Sequence, residues 1–398
     1  DPHEIGNVLG IEGVGYMLED GKSVPFKFYF GAPSCVPATS YETAGAVLSA
    51  KEVEELLNMP SIKYLSEMMN YPGVLYGDEE VHRKMAIAKK YQKPIDGHAP
   101  GLRGEKAKQY IEAGISTDHE CFTLEEALEK LSYGMKVIIR EGSAAKNFEA
   151  LHPLIASHPQ HVMFCSDDKH PDDLLLGHIN LLVKRALQKG YDLFDVLRIA
   201  CVNPVEHYHL EVGLLHEGDA ADFILVDDLK NFNVLKTYID GQLVAEKGRP
   251  LIQTVPPKKV PNLFNLSPKQ PEEFAVRTSR EKEEVHVIVA VDGEIVTQRT
   301  TCWLTAVNGN LVSDVKNDVL KIAVVNRYEP QATIGIGFIK GFGLKAGAIA
   351  ASVAHDSHNL IAIGTSDELL CEVINVLINQ QGGIAVHTGE EIVSMPLP

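Results

Sequence analysis

The chain has 398 residues, enough for two or three domains. Its 45% hydrophobic and 23% charged residues are ordinary for a soluble globular protein with a full core. A net charge of -17 argues against a nucleic-acid partner, because phosphate binding needs clustered Lys and Arg; no apolar run reaches membrane-spanning length.

The first half alternates short β-rich runs with amphipathic stretches. The β-like runs are Lys27–Phe30, Lys63–Ser66, Lys93–Asp96, Gly114–Thr117, Lys136–Ile139 and Val162–Cys165. Between them lie Glu- and Lys-rich segments such as Glu79–Tyr91 and Leu124–Leu131. This alternation predicts a parallel sheet. Capping boxes are expected at Ser49 with Glu52 and at Thr123 with Glu126, where a hydroxyl and a carboxylate can satisfy free first-turn amides. Each strand ends near a polar residue: Ser34, Glu67, His98, His119, Arg140 and Asp167.

In a parallel β/α barrel the strand C-termini converge on one face, where the active site sits. A doubly wound sheet would instead need a glycine-rich phosphate loop, and none is present. The expected fold is therefore α/β: a (β/α)8 TIM-like barrel over residues 1–212, incomplete at its N-terminus. Six units are visible where a closed barrel needs eight, so the missing pieces should precede Asp1. A small β segment and linker should follow over 213–262. It contains a buried strand within Gly213–Val226, a hairpin at Asp240-Gly241 and a Pro-rich linker from Pro250 to Pro261. Residues 263–398 should form an α+β domain with β-rich runs Val285–Val291 and Leu320–Val325 and a helix Asp367–Gln380. The six cysteines are scattered, without a C-x-x-C pair, which points to a reducing, cytoplasmic compartment. The chain starts at Asp1 without a Met, and both ends look cut.

His98 and His119 fall at successive strand ends, with Glu67 before them and Asp167 and Asp168 after. A single His after a strand is ordinarily a hydrogen-bonded structural residue. Two imidazoles and two carboxylates on one rim instead suit a binuclear site for a divalent metal. Such metals lower the pKa of bound water, and a neighbouring carboxylate such as Asp167 could carry its proton to a leaving group. Glu120 and Asp168 join Asp167 as candidate catalytic residues. Cys35 and Cys165 read as small packed residues rather than nucleophiles.

Several runs together are more specific: Asp96-Gly97-His98-Ala99, Ala113 to Cys121, Arg140 to Ala145, Phe164 to His170, Asp1 to Ile5, Pro33 to Thr39, Lys340 to Lys345, and Ala354 to Asn359. In these the chain resembles the bacterial adenine deaminases of the amidohydrolase superfamily along nearly its whole length. The resemblance implies two divalent metals (manganese, iron or zinc) and hydrolysis of adenine to hypoxanthine and ammonia. It implies Glu67 as bridging ligand, His98 and His119 as ligands, and Asp167 as ligand and general base. The superfamily's His-x-His pair at the end of strand one is not in this chain. The chain then reads as a fragment that binds metal incompletely and is inactive alone. The small-molecule partner would be adenine, with a homo-oligomer expected.

Other motifs stay open. Asp1-Pro2-His3-Glu4 is either a capped turn or a site contributor, through His3 and Glu4. Arg140 either contacts the purine or pairs with Glu141, and Ser34 is a further substrate-binding candidate. His355-Asp356-Ser357-His358 is either a structural turn or an acid–base cluster through His355 and His358. Rival readings are another amidohydrolase, such as a cyclic amidase or an N-acetyl sugar deacetylase, and a non-catalytic barrel fragment.

Overall fold

A computed structural model describes residues 1–397 except 257–258, 294–295 and 332, so Pro257 and Lys258 of the expected linker and Pro398 lie outside the described residues. Two compact units emerge. The first comprises Asp1–His3, Ile11–Thr39 and Leu48–Pro257, the second Glu4–Gly10, Ser40–Val47 and Lys258–Pro398.

The first unit contains six parallel strands: β1 (Phe30–Ala32), β2 (Ile62–Met68), β3 (Ile95–Gly97), β4 (Thr117–Asp118), β5 (Lys136–Arg140) and β6 (Val162–Cys165). β1, β2 and β3 form one sheet and β4, β5 and β6 another, each strand beside its predecessor. Ser116 links the two sheets: its N–H and its hydroxyl both donate to the Ile95 carbonyl at 2.8 Å. The expected Lys27–Phe30 strand starts later, at Phe30. Of Gly114–Thr117 only Thr117 is strand, the first residue of the two-residue β4.

Helices between strands bury one stripe against these sheets. In Ala50–Leu57, Val53, Leu56 and Leu57 are buried, at i, i+3 and i+4. The Ser49–Glu52 capping box forms as expected. The second box forms only by half. Thr123 accepts the Glu126 N–H at 3.2 Å, but the Glu126 carboxylate turns to Lys130 and to the Gly101 and Phe122 amides. A buried ammonium one turn along the helix outcompetes the cap amide for that carboxylate. Phe148, Phe164, Val137, Ile139 and Val162 pack around β5 and β6; Leu65, Met68, Ile95 and Tyr110 pack around β2 and β3.

The first unit also holds a four-stranded antiparallel sheet: β7 (Phe223–Val226), β8 (Val234–Ile239), β9 (Gln242–Glu246) and β10 (Arg249–Pro250). Asp240 and Gly241 turn the β8–β9 hairpin with φ of 49° and 77°, the double positive φ of a type I′ turn. The expected burial of β7 fails. It is an edge strand of a small sheet, and Ile224 and Leu225 are 44% and 45% exposed.

His207, on the helix Asn203–Tyr208, is wedged between Lys136 Nζ at 3.0 Å and Ser116 Oγ at 3.4 Å. Burial, with the Lys136 charge beside it, pushes its imidazole down from 6.5 to about 4. Between those values the unfolded chain binds the proton and the native chain does not, so native stability falls as pH falls. The loss is expected to be on the order of 3 kcal/mol at most. Unfolding of wild type and His207→Gln at pH 7 and pH 4.5 measures it. An equal acid-induced loss in both proteins removes His207 as the cause.

In the second unit a ten-stranded sheet carries the helix Asp367–Gln380. Leu320–Val325 lies antiparallel between Ile334–Lys340 and Leu360–Gly364, and Lys282–Val289 pairs parallel with Ile334–Lys340. Ser366 caps the helix, which buries Leu370, Val373, Ile374 and Leu377. This is the expected α+β composition. No helix among the described residues is long and apolar enough to cross a membrane.

Candidate metal centre

Parallel pairing brings the C-terminal ends of the six strands to one side of the sheets, and the polar residues there meet. Glu67 Oε2 lies 3.0 Å from His98 Nδ1 and 3.2 Å from His119 Nε2, one carboxylate oxygen facing two imidazole nitrogens. The rings sit 5.3 Å apart, nearly edge to face. Glu120 Oε1 comes within 3.7 Å of His98 and 3.4 Å of His119, and Asp167 Oδ2 within 3.6 Å of His119. Asp1, His3 and Glu67 also bring ligand atoms close together.

Glu120 is buried, and its carboxylate and that of Asp167 share the guanidinium of Arg140. The expected Arg140–Glu141 pair does not form, because Glu141 turns outward to Arg185 at 2.6 Å. Asn147 fixes this corner. Its side chain accepts the Arg140 N–H at 2.8 Å and donates to the His119 and Cys121 carbonyls at 3.1 and 3.2 Å. Asp167 has a φ of 53°, a left-handed conformation that Asp tolerates better than most residues. Its Oδ1 accepts the Asp168 N–H at 2.8 Å, while the Asp168 carbonyl accepts the Ser143 N–H at 2.9 Å. The two adjacent aspartates are thus held differently.

Burial alone would raise the Glu67 carboxyl, but the two imidazoles beside it hold it well below its usual range. Burial alone would lower His119. The hydrogen bond with Glu67 and the charges of Glu67, Asp167 and Glu120 win and raise it to about 10. His119 therefore carries a proton that partly offsets the carboxylates. With neutral imidazoles, the carboxylates of Glu67, Glu120 and Asp167 against the Arg140 guanidinium leave two negative charges uncompensated. Two imidazole nitrogens and an excess of carboxylate in one small volume fit a divalent cation of borderline hardness.

Ser34 is buried and donates through its hydroxyl to the Glu67 carbonyl at 2.6 Å, and its own carbonyl accepts from the buried Lys84 at 2.8 Å. Its contacts hold the Glu67 backbone. His3 lies 3.3 Å from Asp1, whose other oxygen accepts from Ser66 at 2.7 Å. Glu4, His355 and His358 belong to the second unit. There His355 lies 3.7 Å from Glu4 and 2.8 Å from Asp356, and His358 meets the Ala354 carbonyl at 3.2 Å. Burial lowers the His358 imidazole. Cys35 is buried and burial pushes the Cys165 thiol up, as suits packed cysteines. The sequence reading missed Asn147, Asp118, Lys130 and Asp96. Asp96 is pushed up to about 6 by burial, against hydrogen bonds from Thr117 at 2.7 Å and Tyr208 at 3.0 Å.

The sequence profile of the amidohydrolase family matches residues 1–244, the stretch that carries these strands and this cluster. A second profile, the adenine deaminase C-terminal domain, matches residues 294–398. The adenine deaminase of Sulfurovum sp. (strain NBC37-1) is 57% identical over all of this chain, which spans 72% of that relative. That of Salinibacter ruber is 53% identical, again over all of this chain and 72% of the relative. The chain belongs to the adenine deaminase family. The β-aspartyl dipeptidase structure of Fervidobacterium islandicum AW-1 aligns at 17% identity and a TM-score of 0.46, over 62% of this chain and 71% of its own, too slight a likeness to carry an argument.

Proposed function

We propose that this chain catalyses the hydrolytic deamination of adenine to hypoxanthine and ammonia, with the six parallel strands as members of a (β/α)8 barrel. The carrying observation is the single oxygen of Glu67 within 3.2 Å of both His98 Nδ1 and His119 Nε2. Glu67, His98, His119 and Asp167 would hold divalent metal; manganese, iron and zinc all accept this donor set. When bound, the metal supplies Lewis acidity that makes hydroxide available near neutral pH.

The chain's own residues do the rest. Asp167 accepts the proton of the attacking water and delivers it to the exocyclic amine nitrogen, which leaves as ammonia while the ring carbon keeps the oxygen. Arg140, ion-paired with Asp167, holds that carboxylate in place. Glu120, tied to the same guanidinium, keeps a second carboxylate beside both imidazoles, and Asp168 is assigned to accept from the purine ring. We read the domains as 1–212, 213–262 and 263–398, and the scattered cysteines without a C-x-x-C pair support a reducing compartment.

Ammonia release from adenine by the full-length protein, with Mn, Fe and Zn compared, tests the reading. Activity lost to a chelator and restored by metal is expected. A metal-loaded protein that releases no ammonia from adenine overturns it.

A further inference from the structure

Lys130 lies on the helix Leu124–Ser132 and is buried, at 1% exposure. Its Nζ donates to Asp118 Oδ2 at 2.7 Å, Glu126 Oε1 at 2.7 Å and the Ala99 carbonyl at 2.8 Å. Three donors meet three acceptors, so the ammonium is fully satisfied. Those acceptors are placed tellingly. Ala99 directly follows His98, and Asp118 directly precedes His119. The other Asp118 oxygen accepts the Glu120 N–H at 2.8 Å. Glu126 accepts the Gly101 N–H at 3.0 Å and the Phe122 N–H at 3.3 Å. One ammonium and two carboxylates, all buried, thus lace segment 98–101 to segment 118–122.

A buried ionic cluster is a poor route to stability. Desolvating its charges costs about as much as their attraction returns, and apolar side chains of similar volume often do better. What such a cluster gives instead is a fixed arrangement of the groups it binds. Burial alone would lower the Lys130 ammonium, but Asp118 and Glu126 outweigh it and keep the charge on.

We propose that Lys130 and Asp118 are positioning residues for the metal: they lock the loop after β3 to the loop after β4 and so set the separation of His98 and His119. The proposal rests on the ligand reading above. The pair touches no metal itself; it acts through the backbone on either side of the two imidazoles.

The test is Mn²⁺ binding to the metal-free full-length protein, measured by calorimetry for wild type, His119→Asn and Asp118→Asn. Asp118→Asn keeps the acceptor for the Glu120 N–H and removes the charge that faces Lys130. Groups that orient metal-binding side chains typically matter about 10–100-fold in metal affinity, and a loss of about tenfold or more is expected here. The activity deficit should then shrink as Mn²⁺ is raised, which simple loss of fold stability does not produce. Binding lost in His119→Asn but unchanged in folded Asp118→Asn overturns the clamp alone. Wild type that binds no Mn²⁺, or His119→Asn that binds as wild type does, overturns the ligand reading and the clamp with it. Should Asp118→Asn fail to fold, Lys130→Gln, which removes the ammonium that joins Asp118 to the Ala99 carbonyl, takes its place: weakened binding supports the clamp, and unchanged binding overturns it.

Discussion

Replacing Asp167 by Asn is expected to lower kcat and kcat/KM together by about 10²–10⁴, the typical worth of a general acid–base group. The variant isolates chemistry from conformation. Asp167 has a φ of 53°, and Asn is among the few residues that accept that region as readily as Asp does, so the backbone keeps its shape. An Ala at the same place would mix loss of the carboxylate with backbone strain. Arg140 keeps its other partner, Glu120, so the guanidinium stays ion-paired. Asp168→Asn is expected to be milder or to fall mainly on KM, because it is the Asp167 carboxylate that lies within 3.6 Å of His119 Nε2. Steady-state ammonia release by the two full-length variants decides between them. If Asp168→Asn is the dead protein and Asp167→Asn turns over normally, the roles are reversed.

Metal uptake should depend steeply on pH. In the metal-free site the His119 proton, held up to about 10, occupies the nitrogen a metal needs. Below that value each pH unit should weaken binding about tenfold through this residue alone, so affinity at pH 7 should be about a hundredfold below that at pH 9. The stability of the metal-free protein runs the other way. A raised imidazole pKa stabilises fully below about 6.5, and that contribution fades as pH climbs through about 10. Calorimetric titration in buffers of different ionisation heat counts the protons released. An affinity that stays flat between pH 7 and pH 9 would falsify the assignment of His119 as a ligand that must first lose a proton.

Much of this candidate site is legible in the sequence because each candidate stands where a β-rich run stops. Glu67, His98, His119 and Asp167 lie at or within two residues of the end of a strand, and parallel pairing carries such ends to one side without further information. The helix Asp367–Gln380 was equally legible, since its apolar repeat begins straight after a capping Ser366. Other features were hidden for physical reasons. A lysine in a Glu-rich helix reads as solvent-facing, and only the acceptors on Ala99 and Asp118, far away in sequence, draw Lys130 inward. The same pull spoils the Thr123 capping box. Asn147 looks like a loop residue until its contacts with His119, Cys121 and Arg140 are seen. Arg140 lies next to Glu141 in sequence, but adjacent residues on a strand point to opposite faces, and Arg140 found its carboxylates across the sheet instead.

The second unit is assembled from three separated stretches, Glu4–Gly10, Ser40–Val47 and Lys258–Pro398. Within it the Asn359 side chain donates to the Thr43 carbonyl at 3.1 Å, and the Gly45 N–H donates to the Asn7 carbonyl at 2.8 Å. On the ribosome, the two short stretches emerge first and then wait while about 200 further residues are made, at roughly 5–20 residues per second. For that interval they have no sheet to join, and their eventual docking closes a very long loop, a slow and non-local step. Cutting the polypeptide near residue 257 would not yield two self-sufficient halves, because each product would carry or lack a piece of the other. Refolding from denaturant should accordingly show the two units gaining their native signals together at the end rather than as two independent events.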